Sequence, residues 1–244
     1  MVVGSSGYVA VLDVLGFKAL VAADYKNDSV IRYLHIIEAS LAGSTIPYIV
    51  FSDSIVLASH GKEPENLRRM CETCSRLMYD LISAGIAIRG AIACGDFVTS
   101  IVNGSAFIAG KPVVEAHEFE QKQNWIGVLL TPSALNAAPI VKVQCTTVFN
   151  SDEDLKWKAY VQQCQKIPFH SDTDQRMHDG FAIVPGGSVS LENMVTRLSD
   201  VIERLEWLKL LAPTPRDQAK YSATLDWLRR THGLWESREQ ERKQ

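Results

Sequence analysis

The stretch "IPYIVFSDSIVLAS", residues 46–59, decides how this chain folds. Two apolar, β-rich runs meet at Ser52-Asp53-Ser54, a polar break that reads as a tight hairpin. On its N-terminal side, "VIRYLHIIEASLAG" (30–43) sets Ile31, Leu34, Ile37 and Leu41 at helical spacing. Asp28 or Ser29 can cap that helix, and Gly43 stops it. Earlier still, "YVAVLDVLGF" (8–17) is a buried strand over 8–13 that ends in Asp13 and turns through Gly16. On the C-terminal side, Pro64 and Glu65 open a second long helix that ends at Gly85, and "IAIRGAIACGDF" (86–97) is a further strand. The order β-α-β-β-α-β is the split βαβ or ferredoxin-like arrangement, an α+β fold.

That topology has a geometric consequence. The third strand lies antiparallel beside the first, so the end of strand one and the tip of the hairpin share one edge of the sheet. Asp13 is at that strand end and Asp53 at that tip. Alternation puts Val9, Val11 and Asp13 on one face, and Ile49, Phe51 and Asp53 on one face of theirs. A carboxylate at the end of a buried strand is costly unless a cation, a metal ion or a helix N-terminus compensates it.

Downstream, "GKPVVEAHEFEQKQN" (110–124) reads as a helix, "WIGVLL" (125–130) as a strand, "TPSAL" (131–135) as a turn, and "VKVQCTTVF" (141–149) as another strand. Residues 150–188 have no regular pattern. An amphipathic helix follows over 190–211 from a polar Ser190-x-Glu192 start, Pro213 and Pro215 break it, and a shorter helix spans 217–233. The final "ESREQERKQ" (236–244) reads as a frayed tail. The division expected is a catalytic unit over 1–188 and a helical appendage over 189–244.

A length of 244 residues with 46% hydrophobic content suits one large domain or one domain with an appendage. A net charge of −3 gives no general reason to bind a nucleic acid polymer or an anionic membrane. No apolar run approaches the roughly 20 residues of a membrane span, and no basic segment precedes the first apolar stretch as in a secretory signal. Five cysteines, an odd number, fit a reduced cytoplasmic protein. Cys71 and Cys74 form a C-x-x-C inside the helical "NLRRMCETCSRLMYDLI", where helix packing outweighs metal or redox use.

Paired aspartates without a neighbouring histidine suit a hard divalent ion whose other positions are filled by nucleotide phosphates. The turn after Asp13 carries Gly16 and leads to a helix, so its N–H groups can cradle phosphate. Asp96 is a third carboxylate candidate, but "CGDF" reads more simply as a turn at a strand end.

The strand "VLDVLGF", the hairpin "FSDSIVLAS" and the strand "IRGAIACGDF", followed by "GKPVVEAHEFE…IGVLLTPSAL", together resemble the class III nucleotidyl cyclase homology domain over roughly residues 8–137. The resemblance implies a cyclase in which Asp13, Asp53 and the Val14 carbonyl hold two Mn²⁺ or Mg²⁺ ions. Gly16, Phe17 and Lys18 would then line the phosphate site. Where adenylate cyclases carry a Lys four residues before the hairpin Asp, this chain has Ile49. The acidic base-reading partner falls near Phe107, and the transition-state Asn and Arg fall near Val114 and Glu118.

These departures look like the pyrimidine cyclases of bacterial Pycsar anti-phage defence. That resemblance implies a homodimer converting UTP or CTP to the 3′,5′-cyclic monophosphate, with a separate cyclic-nucleotide-activated effector. Tyr48 and Arg89 are the candidates for base or phosphate contacts. Arg89 has a second reading, a salt bridge to Glu115 or Glu118. Tyr48 can equally be a core aromatic, and Phe17 can stack on a base or pack beneath its loop. Two other functions stand beside this one: a purine cyclase with an unconventional base pocket, and a silent nucleotide-binding dimerisation domain.

Overall fold

A computed structural model describes residues 2–23, 26–102, 105–146, 156–168, 177–188 and 190–244. The chain runs β1 (Val2–Val14), α1 (Phe17–Ala23), α2 (Asp28–Leu41), β2 (Tyr48–Phe51), β3 (Ser54–His60), α3 (Pro64–Ser83) and β4 (Ile88–Val102). It continues through β5 (Ser105–Gly110), α4 (Lys111–Lys122), β6 (Gly127–Leu130), α5 (Pro132–Ala137), α6 (Ile140–Thr146), β7 (Val161–Pro168) and β8 (Met177–Ile183). Two long helices finish it, α7 (Leu191–Leu211) and α8 (Pro215–Lys243).

The strands form one sheet in the order β2-β3-β1-β4-β6-β8-β7, with β5 hairpinned onto β4. Its first four positions, β2-β3-β1-β4, are the ferredoxin-like core expected from the hairpin and its flanks. Register fixes the edge where the aspartates meet: Asp13 pairs with Ser54 on β3 and with Arg89 on β4. Ser52 and Asp53 form the two-residue tip between the paired Phe51 and Ser54. Ser52 takes a left-handed φ of 58°, as a tip this tight requires of one central residue.

The two sheet faces are unequal. Tyr8, Ala10, Leu12 and Val14 point into the main core with Tyr33 and Ile37 of α2 and the buried side of α3. Leu198, Val201 and Leu205 of α7, and Trp227 and Trp235 of α8, belong to that same core. Val9 and Val11 point the other way, into a small cluster with Ala58, Ala91, Ala93, Phe97 and Ala116 of α4. Cys71 and Cys74 are fully buried on α3, and burial pushes the Cys74 thiol up to about 12, so the C-x-x-C packs a helix and is not poised as thiolate.

Several elements differ from the sequence reading. Residues 140–146 are helical, not a strand, while 147–149 lie outside the described residues. Val141 and Cys145 are buried but Val143 is 60% exposed, so the apparent alternation is an i, i+4 helix face. Within 150–188, β7 and β8 form an antiparallel pair at the sheet edge, with residues 150–155 and 169–176 outside the described set. The 217–233 helix runs on past Gly233 to Lys243 because Trp235 is buried beyond it, and Glu239 pairs with Arg242 and Lys243. "CGDF" is not a turn: β4 continues through it, and Asp96 pairs with Lys62 at 3.3 Å. "TPSAL" opens the short helix α5.

Candidate active site

Backbone geometry brings the two carboxylate-bearing segments together. The Val14 N–H donates to the Asp53 carbonyl at 3.0 Å, and the next amide, Leu15 N–H, donates to Ala87 O at 2.8 Å. The end of β1 is thus clamped between the hairpin tip and the start of β4. Gly16 then adopts φ +78°, and its carbonyl accepts from the amides of Ala19 and Leu20 as α1 begins. A side chain at Gly16 would meet no atom within 4 Å, so glycine is required there by backbone conformation and not by crowding.

The electrostatics at Asp13 are unbalanced. Burial pushes its carboxyl up to about 6, and the negative charges of Glu120 and Asp53 push the same way, against the pull of Arg89 and His117. Three carboxylates therefore outweigh the local cations. Arg89 is itself committed: its Nε donates to Glu120 Oε1 at 2.5 Å, and Nη1 donates to the Gln123 carbonyl at 3.0 Å. The second reading of Arg89 held in kind but not in partner. Glu115 receives the Ser133 amide and Glu118 pairs with Lys122, while Glu120 takes the guanidinium.

Glu120 was missed by sequence reasoning, and it is 1% exposed. Its signal was present: Pro112, Ala116 and Glu120 are the buried stripe of α4, and a carboxylate in such a stripe needs a cation opposite. Gln123, also buried, locks the site from behind by donating to Gly90 O and accepting from the Trp125 indole.

A divalent ion fits this donor set. Two hard carboxylates and the neighbouring Val14 carbonyl are available where negative charge is in excess, with no thiolate or imidazole donor required. Among the described residues no three His, Cys, Asp or Glu side chains form an all-protein metal cage. An ion here would complete its shell with phosphate and water, as Mg²⁺ commonly does.

The remaining candidates fall in two places. Phe17 packs edge-on against Tyr33 with ring centroids 5.5 Å apart, which is the packing alternative for that residue, and Lys18 is exposed on α1. Tyr48 and Ile49 line a groove of about 370 Å³ on the α4 side of the sheet, together with Val56, Ala58, Phe107 and Ile108. Tyr48 is therefore a surface aromatic rather than a core one. The groove unites Ile49 and Phe107, the two positions where polar base-reading residues were expected to be missing. Phe51 (80% exposed) at the hairpin tip, Phe107 (57%) on β5 and Val114 (58%) on α4 are large apolar side chains left uncovered.

No family model matches the chain, and no curated protein matches it by sequence. Solved structures do match in fold. The catalytic core of a rhodopsin-guanylyl cyclase with converted specificity, in complex with ATPαS, aligns at TM-score 0.52 and 12% identity over 75% of this chain and 98% of that one. The adenylyl cyclase CyaB from P. aeruginosa aligns at TM-score 0.50 and 11% identity, covering 75% of this chain and 96% of its own. The dimeric guanylyl cyclase domain of the RhoGC fusion protein from the aquatic fungus Blastocladiella emersonii gives 0.52 and 11%, over 76% and 98%. The fold of this chain is that of the class III nucleotidyl cyclase catalytic core.

Proposed function

We propose that the chain is a nucleotidyl cyclase that converts UTP or CTP to the 3′,5′-cyclic monophosphate and pyrophosphate. The observation that carries this reading is the pairing of Asp13 and Asp53 at one sheet edge, with excess negative charge beside the turn through Gly16. Asp13, Asp53 and the Val14 carbonyl would hold two Mn²⁺ or Mg²⁺ ions. Bound there, such ions lower the pKa of the ribose hydroxyl and offset the charge on the departing pyrophosphate. In the reaction the 3′-oxygen forms a bond to the α-phosphorus, the bond to the β-phosphate oxygen breaks, and the hydroxyl proton passes to solvent.

The chain's own residues bind and orient. The turn through Gly16 presents backbone N–H groups to the phosphates, Phe17 supports it from below, and Lys18 adds positive charge. Glu120 and Gln123 hold Arg89 by Nε and Nη1, leaving its Nη2 edge for a phosphate oxygen. Tyr48, Ile49 and Phe107 form a base site in which Ile49 has no donor for an adenine ring nitrogen and Phe107 no acceptor for its amino group. The exposed apolar side chains of Phe51, Phe107 and Val114 support a homodimer with sites shared between subunits. Residues 1–188 would be the catalytic unit and 189–244 its helical appendage. A cytoplasmic protein of this kind would signal to a separate effector in anti-phage defence. No described helix is long and apolar enough to cross a membrane.

Purine cyclisation is the second reading, because the solved structures of like fold are adenylyl and guanylyl cyclases. Incubating the protein with each of the four nucleoside triphosphates and Mn²⁺, and identifying products by mass, separates the two. A cyclic pyrimidine product supports the proposal. Cyclic AMP or GMP as the main product replaces it with the second reading, and no product with any triphosphate points to a silent binding domain.

A further inference from the structure

Tyr33 of α2 is 1% exposed, and among the described residues its hydroxyl has no hydrogen-bond partner. Buried hydroxyls in native proteins are almost always paired. Tyr8, equally buried in the same core, donates to the Lys62 carbonyl at 2.9 Å. Of the few unpaired buried polar atoms among the described residues, the Tyr33 hydroxyl is the one whose ring packs on the turn after Asp13. Its ring carries Phe17 of the phosphate turn. Burial raises the phenol above its ordinary pKa, and the negative charges of Asp53 and then Asp13 add to the rise.

We propose that the Tyr33 hydroxyl is a buried donor to a phosphate oxygen of a nucleoside triphosphate held in the turn after Asp13. The inference rests on the nucleotide-binding reading above and extends the site to a helix that faces the opposite side of the sheet. The phenol stays protonated throughout, so it acts only as a neutral donor, suited to an anionic oxygen. A nucleoside monophosphate, lacking the outer phosphates, does not reach it.

The test compares wild type with Tyr33→Phe, which removes one oxygen and keeps the ring against Phe17. The probe is a UTP analogue with a methylene bridge between the α- and β-phosphorus, titrated calorimetrically with Mn²⁺, with UMP as second ligand. Loss of a hydrogen bond to a charged oxygen should weaken the analogue about tenfold or more. UMP affinity should be unchanged, and the metal-free melting temperature should not fall. Equal binding of the analogue by both proteins overturns the proposal alone, as does an equal loss for analogue and UMP. A marked drop in metal-free stability also overturns it, since the hydroxyl would then have a partner within the fold. If wild type binds no triphosphate at all, the nucleotide-binding reading falls first.

Discussion

Replacing Asp13 with Asn separates the cost of the site from its use. In the folded chain the Asp13 carboxyl is pushed up to about 6 from an ordinary 3.8, chiefly by burial and secondarily by Glu120 and Asp53. A group whose folded pKa lies above its unfolded one favours folding only while protonated. The penalty is therefore absent below about pH 4, grows between about pH 4 and pH 6, and is complete above that range. At about 1.4 kcal/mol per pKa unit, the gap is worth at most about 3 kcal/mol. Partial solvent access of the carboxyl reduces this to about 1–2 kcal/mol. Asp13→Asn should then raise the melting temperature in chelator at about pH 8 by roughly 2–8 °C, with the difference vanishing near pH 4. With Mn²⁺ added the order should reverse, since an ion at one hundred times its Kd stabilises wild type by about 2.7 kcal/mol and has lost a ligand in the variant. Cyclisation should be abolished. A variant less stable than wild type in chelator at high pH, or one that still gains stability from Mn²⁺ as wild type does, refutes the reasoning.

Glu120→Gln leaves the Arg89 guanidinium without its anion in a buried setting, and urea unfolding should show a loss of about 3–5 kcal/mol; a loss below about 1 kcal/mol would mean the pair is solvated. Because Asp13 and Arg89 are cross-strand neighbours in one chain, mixing Asp13→Asn with Arg89→Ala subunits should restore little activity. Mixing Asp13→Asn with Phe107→Asp subunits should restore part of it if the groove is completed by a partner; the reverse pattern would show the sites assembled differently. Ile49→Lys should raise relative turnover of ATP over UTP about tenfold, using about 1–3 kcal/mol for a restored hydrogen bond to the base. Unchanged selectivity in competition assays would remove Ile49 from the base pocket.

The hairpin was legible because two apolar, β-rich runs flank a short polar break, and Asp13 stood out as a charge ending an apolar strand. Local pattern ceased to suffice where two periods coincide. Val141 and Cys145 satisfy both strand alternation and a helical i, i+4 face, and only the exposed Val143 tells them apart. Gly233 looked like a helix end because propensity weighs against it, but burial of Trp235 two residues further along the chain outweighs about 1 kcal/mol of glycine cost. Glu120 and Tyr33 depend on tertiary placement. Nothing short of the assembled sheet sets Glu120 over Arg89, or leaves one tyrosine hydroxyl unpaired beside two aspartates.

The bond from the Val14 amide to the Asp53 carbonyl is made entirely by backbone atoms. Neither carboxylate side chain is needed to close that contact, so a descendant with Asn at either place would keep the same hairpin tip against the same strand. Chemistry and shape are therefore inherited separately in this architecture. Drift can remove either carboxylate in one step while a folded scaffold persists and remains open to a new use. Whatever the acids at 13 and 53 contribute lies in what they do, because the fold itself does not ask for them.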